Sequence, residues 1–162
     1  MLEFKKICCA TDFSEPSRIA MLEAAELARR LDAQLELVHV RMPPPTVGTD
    51  LLATPIEATG TALAEIEKTM ATWRDEAERL VGRAVRSTVL TGDAAGEIVR
   101  LARERAIDLV VVGTHGLRGL RRLVIGSVAE RIVREAPCAV VVARRREPTV
   151  ANEVAAEAAV YR

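Results

Sequence analysis

Val111-Val-Gly-Thr-His-Gly-Leu-Arg-Gly-Leu-Arg-Arg-Leu-Val-Ile-Gly-Ser127 begins in an apolar run, breaks into glycines, and ends at a Gly-Ser pair able to open a helix. Residues 109–112 are a short β-branched-rich run, compatible with a buried strand. Gly113, Gly116 and Gly119 then let the backbone turn tightly or approach a ligand closely. A basic segment follows, Arg118, Arg121 and Arg122, before Gly126-Ser127 leads into the apolar-periodic residues Val128, Ile132 and Val133. With Ser127 at the start of that helix, unpaired N–H groups and the positive end of the helix dipole face outward, which is a place for an anion. Strand, glycine turn and helix therefore follow one another here, and the same alternation extends along the chain.

Residues 7–10 form an apolar run that stops at Thr11-Asp12-Phe13-Ser14-Glu15-Pro16, a loop with helix-start chemistry: Ser14 is an N-cap candidate and Pro16 falls in the first turn. Ala20, Ala24, Leu27, Ala28 and Leu31 then recur at helical spacing. Residues 35–40 are a second strand. Residues 41 to about 58 read as a long irregular connection, because Pro43, Pro44 and Pro45 lack an N–H donor; it is either a ligand-covering loop or a tolerated surface insertion. Residues 61–81 resume helical periodicity, with Leu63, Ile66, Met70, Trp73, Ala77 and Leu80 on one stripe, which makes Trp73 a core anchor.

Residues 85–90, with Arg86, Ser87 and Thr88 among them, read as a strand near a sheet edge. Residues 94–106 are a third helix, with Asp93 as N-cap candidate and Ile98, Leu101, Ala102 and Arg105 on its stripe. Residues 108–112 give a fourth strand, 127–135 a fourth helix and 138–143 a last strand. Repeated strand-helix units imply an α/β fold, an open parallel sheet with helices on both faces and right-handed crossovers. One domain spans residues 1–146, and residues 147–162, rich in Ala and Glu, form a tail expected to be a frayed helix or disordered.

Composition narrows the function. A chain of 162 residues suits one domain with a substantial core, and an aromatic content of 2% makes that core aliphatic and excludes base stacking on aromatic platforms. Lys plus Arg and Asp plus Glu are equal at 23 each, which removes the general electrostatic case for nucleic acid or membrane surfaces as partners. Cys8, Cys9 and Cys138 fit neither a disulfide framework nor a zinc spacing and read as small buried hydrophobes in a reducing compartment. The N-terminal Met-Leu-Glu-Phe-Lys-Lys lacks a signal-peptide core and no apolar run spans a bilayer, so the expected location is cytoplasmic.

In an open parallel sheet, ligands bind beyond the carboxyl ends of the strands, where strand order reverses. Two polar features fall at such ends: Thr11-Asp12 after the first strand and the glycine turn from Gly113 to Gly116 after the fourth. Carboxylate, glycine turn and helix N-terminus together suit a nucleotide. The chain has no G-x-x-x-x-G-K-[ST], and its glycine turn is not G-x-G-x-x-G. Each residue also has a plainer reading: Asp12 as an N-terminal helix cap, His115 as a solvent-facing loop residue, His39 as a hydrogen-bonded core residue, the arginines as a solvated surface.

The longer spacing is more specific. Gly113-x2-Gly116-x9-Gly126-Ser127 resembles the ATP-binding signature of the universal stress protein family. Ile7-Cys-Cys-Ala-Thr-Asp12-Phe-Ser14 resembles the family's first strand and Asp-x-Ser loop, Leu37-Val-His39-Val40 its second strand, Gly92-Asp93 its turn before the third helix, and Pro137-Cys-Ala-Val-Val-Val142 its final strand. The resemblance implies a five-stranded, Rossmann-like sheet of the adenine nucleotide alpha hydrolase-like kind, in the order 3-2-1-4-5, with an ATP crevice between strands one and four. It implies that Thr11 and Asp12 lie near the adenosine, that Val40 contacts the adenine edge and that Val112 with Gly113 lines the pocket. Gly116, Gly126, Ser127 and Val128 would hold ribose and phosphates, with Mg or Mn bound through the phosphates rather than by a protein ligand set. The family's non-binding branch lacks the glycine pattern, so its retention here favours binding.

The function so implied is an ATP-binding stress-response or signalling module, at most a slow ATPase, with no catalytic residue assigned. Two rivals stand beside it: an enzyme of the related nucleotidyl transferase or ATP pyrophosphatase type, whose characteristic loops and substrate domain are absent, and a nucleotide-independent dimeric scaffold. The last strand's Ala139, Val140, Val141 and Val142 would form an exposed apolar edge, and antiparallel self-pairing into a homodimer is the simplest cover.

Overall fold

The computed structural model describes residues 3–43, 56–114 and 125–145, with side chains at all of them except 56–59. Nine elements alternate: β1 (Lys6–Thr11), α1 (Glu15–Leu31), β2 (Gln34–Arg41), α2 (Ile56–Val81), β3 (Arg86–Thr91), α3 (Ala94–Glu104), β4 (Leu109–Gly113), α4 (Ser127–Glu135) and β5 (Ala139–Ala143). The strands form one sheet in the order β3-β2-β1-β4-β5, and every neighbouring pair is parallel. The chain therefore runs outward from β1 in one direction through β3, then returns to the other side of β1 with β4. That reversal lies between β1 and β4, where the α/β rule places a ligand.

Alternation along the strands sorts the core into two layers. Ile7, Cys9, Leu35, Leu37 and Val111 pack with α1 and with Met70, Trp73 and Ala77 of α2. Cys8, Val38, Val110 and Val112 point the other way, against Ile98, Leu101 and Ala102 of α3 and Ile132 of α4. Burial alone pushes the Cys9 thiol up to about 12, and burial is the main cause that raises Cys8. Both behave as the small apolar side chains the sequence implied.

Several boundaries differ from the sequence reading. Helix α2 begins at Ile56, not residue 61, which shortens the preceding connection. Gly60 costs a helix only about 1 kcal/mol, too little to end one. Leu80 is 43% exposed and Val81 takes its place in the core. Helix α3 ends at Glu104, and Arg105, expected on the apolar stripe, is instead its C-cap, free to turn toward β2 and β3. Of the apolar residues expected on α4, Ile132 is buried, while Val128 and Val133 are 43% and 50% exposed. The expected tail, residues 147–162, lies outside the described residues.

Candidate functional site

Thr11 ends β1, and the three-residue turn 12–14 with the first turn of α1 forms a compact polar cluster in which each hydroxyl proton has a partner. Thr11 is buried and its Oγ1 accepts from Phe13 N–H at 3.1 Å. Ser17 Oγ donates to Ser14 O at 3.0 Å, so the 3.2 Å contact between Thr11 Oγ1 and Ser17 Oγ takes its proton from Thr11. Ser14 caps α1 by accepting from Ser17 N–H at 3.3 Å, and donates its own hydroxyl proton to Asp12 Oδ1 at 2.5 Å. Asp12 Oδ1 also accepts from Ser14 N–H at 3.0 Å. The helix cap is thus Ser14, and Asp12 stands two residues before it as a carboxylate oriented by that cap.

His39, on β2 and level with Thr11 in the sheet register, presents Nδ1 2.8 Å from Thr11 O, the hydrogen bond expected of a core histidine. Its ring stacks on Phe13, with centroids 4.5 Å apart, and Phe13 in turn meets Trp73 edge-on at 5.6 Å. Trp73 is accordingly the core anchor its position on the stripe implied. Val40, the next residue of β2, is half-buried against the α3/α4 layer, in which Val112 of β4 is buried. Val112 is only 3% exposed, which leaves its main chain as the part able to meet a ligand.

Gly113 has a cause that sequence spacing could not reveal. A Cβ there would lie 2.7 Å from both the carbonyl carbon and oxygen of Pro16 and 3.0 Å from Ser17 N. The end of β4 is therefore pressed against the first turn of α1, the same turn that orients Asp12. One residue on, Thr114 O accepts from Gly126 N–H at 2.6 Å, which brings the start of α4 back to the end of β4. Gly116, together with Gly119, His115 and Arg118, Arg121 and Arg122, lies outside the described residues.

Gly126 is the N-cap of α4, and no side chain among the described residues caps that helix. In α1 and α3 the corresponding donors are met by Ser14 and by Asp93, which accepts from Gly96 N–H at 2.9 Å. Ser127 and Val128 are exposed and lie in the first turn of α4, where N–H groups have no partner within the helix and the dipole is positive. Thr11, Asp12, Val40, Val112, Gly113, Gly126, Ser127 and Val128 accordingly gather at the carboxyl edge around the β1/β4 reversal. The sequence reading missed Ser17 and Phe13; the Thr11, Ser14, Ser17 spacing of three was the available signal.

Among the described residues, no three His, Cys, Asp or Glu side chains gather as a metal site, and no helix is long and apolar enough to cross a membrane. A cleft of about 610 Å³ at the opposite, amino edge is lined by Lys6, Gln34, Glu36, Arg86 and Arg105 among others, but there Glu36 and Arg105 bind one another.

The sequence model of the universal stress protein family matches residues 3–144. Universal stress protein MJ0531 of Methanocaldococcus jannaschii is 33% identical over 149 residues, covering 88% of this chain and 83% of the relative. The solved structure of MJ0577 from the same organism superimposes with a TM-score of 0.77 at 25% identity, covering 90% and 99% of the two chains. A universal stress protein solved in complex with cAMP superimposes with a TM-score of 0.68 at 21% identity, over 89% and 99%, a likeness of fold. Fold, strand order and family match agree: this chain belongs to the universal stress protein family.

Proposed function

We propose that this chain binds an adenine nucleotide, ATP foremost, in the crevice between the ends of β1 and β4, and works as a nucleotide-dependent stress-response or signalling module. The observation that carries this reading is the first turn of α4, tied to the end of β4 through Gly126 N–H and without a side-chain cap among the described residues, where α1 and α3 have one. The N–H groups of Ser127 and Val128 would receive phosphate oxygens, with Gly116 and Gly126 keeping the approach open. Asp12, doubly hydrogen-bonded by Ser14, would accept from a donor of the adenosine, beside Thr11. Val40 would supply the aliphatic contact to the adenine edge, and the main chain at Val112 and Gly113 the floor. Mg or Mn would enter on the phosphates. Slow hydrolysis is the most that this set of groups supports, since none of them is an evident base for water.

Calorimetry with ATP, ADP, AMP and cyclic AMP in the presence of magnesium tests the reading, with saturable ATP binding expected. Absence of binding by all four would overturn it in favour of the nucleotide-independent scaffold. We also propose a homodimer built on β5, which ends the sheet and leaves Val140, Val141 and Val142 half-exposed. Sedimentation at micromolar concentration reads this directly, and a monomer refutes it. The free thiols of Cys8, Cys9 and Cys138 accord with a cytoplasmic setting.

A further inference from the structure

We propose that His39 is a positioning residue for the Asp12 carboxylate, acting through the Thr11 carbonyl and the Phe13 ring; the proposal rests on the nucleotide reading above. A carbonyl oxygen carries no proton, so the 2.8 Å contact to Thr11 O requires the proton on His39 Nδ1, which donates it. The same imidazole lies nearly parallel to the Phe13 ring, at an interplanar angle of 24°. One side chain of β2 therefore holds the residues on both sides of Asp12: Thr11 by its carbonyl and Phe13 by its ring.

The loop needs holding. Phe13 has φ +63°, in the left-handed region where a Cβ crowds the backbone, and this conformation competes with relaxed alternatives once its contacts are removed. Three contacts keep it there: the His39 stack, the edge of Trp73 at 77°, and Phe13 N–H on Thr11 Oγ1. Relaxation of Phe13 would move Ser14, whose N–H and Oγ both aim at Asp12 Oδ1, so the carboxylate would lose its direction with the turn. A binding group misplaced by a fraction of an ångström loses much of its contribution, and this would weaken the ligand while the sheet stays intact.

The amide side chains separate the donor from the ring. Asn places an N–H where Nδ1 stands, Gln places one where Nε2 stands, and Leu places none. Titration of ATP with magnesium into wild type, His39→Asn, His39→Gln and His39→Leu, each checked for fold by circular dichroism, is expected to give a Kd for His39→Asn about threefold weaker than wild type, since the donor is kept and the ring stack is lost. For His39→Gln and His39→Leu it should be about tenfold weaker, the scale of one lost hydrogen bond. Amide exchange at Phe13 and Ser14 in the nucleotide-free protein should accelerate most in those same two variants. Equal affinity in all four proteins overturns the proposal, as does an Asn variant as weak as the Leu variant. If His39→Leu does not fold, His39→Gln against His39→Asn gives the same decision. Wild type that binds no nucleotide refutes the nucleotide reading and this role together, whereas wild type that binds and variants that bind equally refute this role alone.

Discussion

The two ends of the sheet treat their polar groups in opposite ways. At the amino end, side chains answer main-chain groups and one another. Asp108 Oδ2 accepts from both Lys5 N–H and Lys6 N–H at 2.8 Å, and Arg83 donates to Ala28 O and Ala33 O at 2.7 and 2.8 Å while pairing with Asp32. Arg105 binds Glu36, and Thr88 Oγ1 donates to the same carboxylate at 2.6 Å. At the carboxyl end, α1 and α3 are capped but α4 has no side-chain cap among the described residues, and Asp12 follows the end of β1. In a parallel sheet every helix starts at the carboxyl end, so positive dipole ends collect there and carbonyl-rich ends collect opposite. The contrast favours the carboxyl end for the proposed anionic ligand, since the polar residues named at the other end are engaged with main-chain groups and with one another.

Three substitutions press on that contrast, in decreasing order of expected effect on stability. Gly113→Ala lies at the ligand end yet should act on the fold: a methyl 2.7 Å from the Pro16 backbone must displace α1, and we expect a loss of about 3 kcal/mol in urea unfolding. A variant as stable as wild type would return Gly113 to the ligand. Glu36→Ala leaves Arg105 and Thr88 without their carboxylate. With Glu36 only 5% exposed but the Arg105 side chain 38% exposed, about 2 kcal/mol is expected, with ATP affinity unchanged. Altered affinity would break the separation of the two ends. Gly126→Val should cost about 1 kcal/mol or less, because φ −59° and ψ 150° are open to any L-residue, yet it should abolish ATP binding by filling the phosphate space. Circular dichroism showing an unfolded variant would instead assign Gly126 to structure.

Local chemistry was legible in the sequence and distant partnership was not. Helix α4 falls on residues 127–135 as read, because Gly126-Ser127 opens it and Pro137 lies just beyond its end. Ser14 and Asp93 declared themselves as caps for the same reason: a cap's partner is three residues away. The strand order came through the family resemblance, since no periodicity tells β4 to pair with β1. Glu36 sits inside an apolar strand reading, and its counterion Arg105 is 69 residues distant, so neither the buried ion pair nor Arg105's departure from the α3 stripe could be foreseen. Gly113 was read for a ligand because the backbone it abuts, Pro16 and Ser17, is nearly a hundred residues earlier. Asp12 was read correctly as a carboxylate at the first strand's end, while its orientation by Ser14 emerged only with the loop geometry.

The central position of β1 also governs when this chain can fold. Within this sheet the strand synthesised first is the middle one, and its Ile7 waits for Leu109 on one side while Leu35 arrives early on the other. Until β4 has emerged, an N-terminal intermediate carries β1 with one edge of unpaired N–H and C=O groups beside the apolar side chains of Ile7, Cys8 and Cys9, the type of surface that recruits other chains. Nascent chains arrested before about residue 109 are therefore the species most in need of chaperone cover, and release past β5 is the step that ends the need.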